Sequence, residues 1–457
     1  MTTLTTPLTT RELDEPFAMR AQIGAHSESP YQTVRVRDFL RHVVNVAEQL
    51  PPARHVLNLC GNRYSFCVAF CAALLRRQCN LLANNRAEKT ARELLEQYPD
   101  AYLLHDGLDM DIKGAVDIHD VDFDGQAHDG AVPEIPMAHI AAIAFTSGST
   151  GKPTANIKTW RTFVESSAIN AHHMLGSPER PLHTVATVPA QHMWGLETSV
   201  LLPLFAPLCI LDTHPLFPQD IARQLGFVPS PRLLISTPIH LRALLGSGLQ
   251  FAPVARVLCA TAPLSTELAT KSEALLGAEL VEVYGCSEVG SMASRHSAHE
   301  TGWSLFKGLS FIRGTEGLSV TAPYLPGAVS LQDHLHFDDT GRFELRGRSD
   351  DVINIGGKRG SLLEMNQILL AVEGVMDGVV FIPEAEPGQL SRPAALVVLD
   401  SRASKNEVLA EFRARLDPVF VPRPLIAVEA LPREGNGKLN KARLNAFFKT
   451  CRARGTH

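Results

Sequence analysis

Phe145-Thr146-Ser147-Gly148-Ser149-Thr150-Gly151-Lys152-Pro153-Thr154 decides the reading of this chain. The apolar run from His139 to Phe145 before it has the length and composition of a buried strand. Hydroxyl side chains, two glycines and a lysine then follow within a few residues. Glycine lets the backbone approach an anion closely, and successive N–H groups in such a turn form an anion-binding concavity. Hydroxyls add donors and Lys152 adds a point charge, so a polyphosphate suits the loop. A Walker A loop does not fit. Thr146 stands where its first glycine belongs, and Pro153 follows Lys152 where Ser or Thr is required.

With 457 residues, the chain exceeds one typical core and predicts at least two domains. The net charge of −5 and the lack of a basic stripe argue against nucleic acid as a partner. The most apolar run, Phe66–Leu75, is far too short for a membrane span and reads as a core helix. No basic start followed by an apolar stretch marks the N-terminus, so no secretory signal is visible. Cys60, Cys67, Cys71 and Cys209 lie in apolar runs, as expected for reduced thiols in a cytoplasmic protein. No Cys-x-x-Cys pair points to structural zinc.

Residues 1–30 are Thr-rich and polar and read as a loose lead-in. Then Val36–Leu50 and Ser65–Arg77 have helical periodicity around a strand-like Val56–Cys60. Strand-like runs recur at Thr184–Val188, Cys209–Leu211, Leu233–Ser236 and Val257–Ala260. This alternation predicts an α/β fold with parallel strands. Past Gly302 the pattern turns β-like, with Phe343–Arg346 as one strand. Ser361-Leu-Leu-Glu364 and Ser404-Lys-Asn-Glu407 are capping boxes that open helices. The second helix should turn Leu409, Phe412 and Leu416 inward. Val379–Ile382 and Ala394–Leu399 complete a small α+β unit. The expected division is a large N-terminal domain, 1–348, with parallel or mixed sheets and flanking helices, and a C-terminal domain, 349–457.

Four segments, in order, resemble the motifs of the adenylate-forming enzymes, which include acyl-CoA and aryl-CoA synthetases, peptide-synthetase adenylation domains and luciferases. They are the phosphate loop, Tyr284-Gly285-Cys286-Ser287-Glu288, Gly347-Arg348-Ser349-Asp350-Asp351 with Ile355–Lys358, and Leu431–Lys438. They lie in roughly the last two-thirds of the chain, with a weaker similarity around Val56–Leu82. The resemblance implies that the C-terminal domain is mobile, hinging at Asp350. It implies ATP and Mg²⁺ as cofactors and a carboxylic acid as substrate, converted to an acyl-adenylate and passed to a thiol.

On these terms Thr146, Ser147, Gly148, Ser149, Thr150, Gly151 and Lys152 cradle the phosphates. Thr150 and Glu288 contact Mg²⁺, since a hard cation wants oxygen ligands. Tyr284 packs on adenine, with Ser287 beside it. Asp333 binds the ribose hydroxyls and Arg348 the ribose or phosphate. Lys438, in a Gly-rich tip, is delivered to the junction of carboxylate and phosphate. His192, in Val188-Pro-Ala-Gln-His192-Met-Trp-Gly195, gates the acyl pocket, neutralises the carboxylate, or simply starts a helix. His334 and His336 read as a metal pair or as half-exposed strand residues. Cys286 occupies a variable motif position and reads as a bystander.

The chain departs from the pattern at Thr154, where the motif carries lysine, leaving that duty to Lys152 or to nothing. Ala260-Thr261 replaces a Gly-Gly pair, which suggests a short or flat acid. The acceptor is coenzyme A or the phosphopantetheine of an acyl carrier protein. The chain also resembles carrier-protein-loading ligases of bacterial aryl-polyene pigment pathways, which favours an aromatic acid such as a hydroxybenzoate. A CoA synthetase for a short or medium-chain acid, a non-catalytic nucleotide-binding relative, a P-loop kinase or ATPase and a luciferase-type oxygenase are the competing readings. A monomer or homodimer is expected.

Overall fold

The computed structural model describes residues 4–21, 30–123, 125, 131–147, 153–314, 317–348, 351–355, 358–384, 392–434 and 437–454. Residues 148–152, 349–350, 356–357 and 435–436 of the motifs lie outside them, as do the side chains of Thr146, Ser147 and Arg348.

Two large sheets carry the first part of the chain. In one, His55–Asn58 lies between Cys79–Leu82 and Ala101–His105, all parallel. Ile140–Ser147, the strand that leads into the phosphate loop, adds parallel to Cys79–Leu82 and turns back antiparallel as Pro153–Thr159. The other has nine strands. Its parallel centre is Leu208–Leu211, Leu182–Ala186, Arg232–Ser236, Arg256–Cys259 and Glu279–Cys286, in spatial order. Glu279–Cys286 then folds back antiparallel into Gly290–Arg295.

Helix Arg63–Leu75 is sandwiched between these sheets, against His55–Asn58 and Cys79–Leu82 on one side and Leu208–Leu211 on the other. All but its last residue are buried. That explains why its sequence shows no polar face: a helix covered all round has none to offer. At its start Arg63, 1% exposed, donates to the carbonyls of Ala186 (3.0 Å) and Val188 (2.7 Å) and to Ser199 Oγ. Burial lowers its guanidinium only to about 10, so it stays charged.

The expected strands appear within two residues of the sequence reading, except Val379–Ile382, whose strand begins four residues earlier as Val375–Phe381. The lead-in does not: it is a correction. Thr5–Pro7 pairs with Glu134–Pro136, and Pro16–Ala21 joins the nine-stranded sheet beside Leu208–Leu211. Leu8, Phe17 and Ala18 are fully buried, and Phe17 stacks on Phe39 with centroids 3.9 Å apart. Sparse but well-spaced apolar residues, with Arg11 donating to the carbonyls of Pro203 and Leu208, outweigh the polar composition.

In the C-terminal part, helix Leu362–Ala371 and helix Lys405–Arg415 pack on the sheet of Val375–Phe381, Ala394–Leu399 and Leu425–Ala427. Ser361 caps the first through Glu364 N, and Ser404 with Glu407 forms the full reciprocal box. Phe412 is buried as expected, with Val408 rather than Leu409 fully covered beside it.

Arg63→Ala would leave two buried carbonyls unpaired, each costing about 1–3 kcal/mol. A melting temperature at least about 5 °C below wild type is expected by calorimetry. An unchanged value would show that the two sheets do not depend on this guanidinium.

Candidate active site

The strand ends of both sheets open onto one cleft. A cavity of about 100 Å³ is lined by Ala144 and Phe145, Leu82–Asn84, Val188, His192, Thr261 and Ser287, each at or just beyond the C-terminal end of a strand. Ligands of open α/β sheets bind at that edge. From the C-terminal part, Glu434 and Lys438 reach the same cavity. Three of the residues expected at the site, His192, Ser287 and Lys438, thus meet across more than two hundred residues of chain.

Lys438 owes its position to a braced loop. Arg433 holds Asp377 with two hydrogen bonds, 2.8 Å and 2.7 Å, and its remaining nitrogen donates to Gly437 O at 2.7 Å. Glu434 N donates to Lys438 O, and Arg433 and Leu439 bridge across the base. Helix Pro238–Gly246 receives this region: a Cβ on Gly246 would lie 2.6 Å from Met376 Cε, so the bare glycine admits Met376. Burial lowers the nearby Arg242, which Asp377 counters and Arg433 reinforces.

His192 caps the short helix Met193–Leu196, and Gly195 sits so close to Pro189 O that a Cβ would be 2.0 Å away. Burial, helped by the Lys438 charge, pushes the imidazole down to about 4, so the ring is neutral at pH 7. Thr261 has φ +86°, a strained conformation for a β-branched residue.

Tyr284 Oη donates to Asp333 Oδ2 at 2.8 Å, and its ring packs against Trp303 and Phe343. Asp333 lies directly across from Arg348 in the antiparallel pair. Tyr284, Asp333 and Arg348 therefore share one corner. His334 and His336 sit exposed on the outer face of that strand. Among the described residues no group of three or more His, Cys, Asp or Glu side chains is placed to hold a metal. Burial, then Glu288, pushes the Cys286 thiol up to about 12, as suits a bystander.

Glu288 is exposed at the tip of the turn between Glu279–Cys286 and Gly290–Arg295. One exposed carboxylate next to Ser287 of the cavity fits Mg²⁺, which keeps waters and takes one or two carboxylates plus substrate oxygens. Sequence reasoning missed Lys158, Glu197, Asp377 and Arg433. Lys158 left no sign, because the strand's regular alternation predicts Ile157 inward, whereas Ile157 is 61% exposed and Lys158 2%.

This arrangement defines a class: the two-part α/β fold of the adenylate-forming enzymes. The anthranilate CoA ligase AuaEII, solved in complex with anthranoyl-AMP, superposes with a TM-score of 0.77 over 93% of this chain and 94% of that one, at 14% identity. The chain belongs to the AMP-binding enzyme family, whose sequence profile matches residues 40–311, with the family's C-terminal domain at 364–438. It is 32% identical to the 4-coumarate–CoA ligase of Rhodobacter capsulatus over 51% of its length and 58% of the relative's. It is 24% identical to the long-chain-fatty-acid–CoA ligase of Bacillus subtilis over 68% of its length and 63% of the relative's. The chain thus spans about 60% of the length of these curated relatives.

Under the cavity lie two further neutral rings. His240 Nδ1 is 2.8 Å from Thr187 Oγ1, and His214 Nε2 is 3.0 Å from Thr187 O. Burial pushes each down to about 4 from 6.5. Between those values the unfolded chain binds more protons, so stability falls as pH drops through the window. His240→Gln removes one such group. Its stability deficit relative to wild type should therefore narrow by on the order of 1–2 kcal/mol between neutral pH and about pH 5. Denaturation at both pH values checks this, and a constant deficit would contradict it.

Proposed function

We propose that this protein is an ATP-dependent ligase that activates a small aromatic carboxylic acid as its adenylate and passes the acyl group to a phosphopantetheine thiol. The observation that carries this reading is Lys438 in the same cavity as His192 and Ser287, beside the Glu288 turn. The division at 348/349, with a C-terminal part that moves between the two half-reactions, belongs to the same proposal, as does a cytoplasmic location. Among the described residues no helix is long and apolar enough to cross a membrane.

In the first half-reaction a carboxylate oxygen attacks the α-phosphorus of ATP. A new C–O–P anhydride forms, the bond to the β-phosphate oxygen breaks, and pyrophosphate leaves with the electron pair. Lys438 donates hydrogen bonds to the carboxylate and α-phosphate as their charges approach. Residues 146–152 hold the outgoing phosphates. Glu288 and Thr150 would hold Mg²⁺, which would supply positive charge to the phosphates. Tyr284, Asp333 and Arg348 seat adenine and ribose. His192, uncharged, acts as a gate on the acyl side rather than as a counter-ion. In the second half-reaction a thiolate attacks the acyl carbon and AMP departs.

Two features favour a flat ring. The cavity, with Lys438 in place, is about 100 Å³, less than the roughly 150 Å³ of an apolar cavity that holds benzene, which favours a small, flat acid over a long chain. Thr261 narrows it. The relative from Rhodobacter capsulatus is a 4-coumarate–CoA ligase, and the superposed structure holds anthranoyl-AMP. The thiol is that of CoA or of a carrier protein, which share the phosphopantetheine arm.

Purified protein with ATP, Mg²⁺ and a panel of hydroxybenzoates, benzoate, short acids and fatty acids should release AMP and pyrophosphate only with aryl acids. Strong turnover of palmitate would overturn the aryl assignment, and no AMP with any acid, while ATP still binds, would overturn the ligase. Offering CoA and a phosphopantetheinylated carrier protein then separates the acceptors. Lys438→Ala should slow adenylate formation about 10²–10³-fold yet spare thioester formation from preformed adenylate. Arg433→Ala should show the same asymmetry in milder form, because it displaces the lysine without removing it. Equal losses in both half-reactions would refute both roles.

A further inference from the structure

Strand Pro153–Thr159 inverts the usual alternation. Its apolar Ile157 is 61% exposed, whereas its charged Lys158 is 2% exposed. The buried ammonium donates to the main-chain carbonyl of Glu288 at 2.5 Å. On the other side of the same turn stands a second buried ionisable group. Glu197, 5% exposed, accepts from Ser291 N at 3.1 Å and from Ser291 Oγ at 2.8 Å. Gly290 between them has φ +96°, and a Cβ there would lie 2.4 Å from Glu197 Oε1. The charged forms of the two also attract each other.

The turn that carries Glu288 is therefore gripped at both ends by ionisable groups from distant segments. Buried ionisable groups of this kind add little stability over an apolar filling. What they add here is geometry, fixing the backbone on either side of one exposed carboxylate. Thr154, four residues earlier on the strand, stands where the resembling motif carries lysine, so Lys158 is the buried cation this strand retains among its described residues.

We propose that Lys158 and Glu197 are positioning residues that preset the Glu288 turn, so that its carboxylate meets Mg²⁺ on bound ATP without reorganisation. This rests on the ligase reading in assigning Mg²⁺ to Glu288. Outer partners of metal ligands typically matter about 10–100-fold in metal affinity.

The test titrates Mg²⁺ into protein with ATP and reads the Mg²⁺ concentration that half-saturates the metal-dependent gain in ATP binding. ATP binding in EDTA and the melting temperature are measured alongside. Glu288→Ala should show the largest rise. Lys158→Met should raise the half-saturating Mg²⁺ about tenfold while leaving ATP binding in EDTA unaltered, and Lys158→Arg should recover most of the loss. Ser291→Ala, which removes only a hydroxyl donor to Glu197, should give a smaller rise in the same direction and serves if Lys158→Met does not fold. Wild-type Mg²⁺ dependence in Lys158→Met or, failing that protein, in Ser291→Ala, with Glu288→Ala impaired, would overturn the clamp alone. An unaltered Glu288→Ala would overturn the metal assignment and the clamp together.

Discussion

Everything in the cleft depends on one guanidinium. Arg63 begins the helix between the two sheets, and its hydrogen bonds end on Ala186 and Val188, at the edge of the loop that carries His192. The helix cannot shift without dragging that loop, because it is buried against both sheets. The first sheet supplies the phosphate-loop strand and the second supplies His192, Thr261 and Ser287. A charge buried at their junction is a costly choice unless fully hydrogen-bonded. Here three acceptors from the second sheet's side take its two terminal nitrogens while Nε is left without a partner, so its desolvation is offset in part by contacts that also fix the spacing of the two sheets.

The tip that carries Lys438 follows a similar logic on a smaller scale. A lysine in a glycine-rich loop has no geometry of its own. Asp377, on a strand of the C-terminal sheet, orients Arg433, and Arg433 orients Gly437 next to Lys438. Rigid sheet, ion pair and mobile ammonium form a chain in which each member restricts the next. Such support lets a flexible side chain act at a defined place.

Much of the fold was legible because the central strands are short, apolar and bounded by Pro, Gly or polar residues, and because the helices at Leu362 and Lys405 carry explicit caps. The N-terminal lead-in was not, since its burial comes from pairing with Glu134–Pro136 and Leu208–Leu211, more than a hundred residues away. The same holds at the site. Ser287, His192 and Lys438 were found through motifs whose residue types match their chemistry. Asp377 and Glu197 were not, because an acidic residue in a strand or helix says nothing of which distant donor it meets. Lys158 was hidden in another way: Thr154-Ala155-Asn156-Ile157-Lys158 alternates regularly and predicts Ile157 inward and Lys158 outward, and only the observed burial reverses that order.

The proximity of Lys438 to His192 carries one more consequence. The ammonium depresses the imidazole's affinity for protons, and coupling of this kind is reciprocal. A proton on His192 must therefore disfavour the docked lysine as much as the docked lysine disfavours that proton. Protonating the ring would place two positive charges in one cleft, so proton activity opposes the placement of Lys438 beside His192. A ring placed to line a pocket thereby also weighs where the other end of the chain resides.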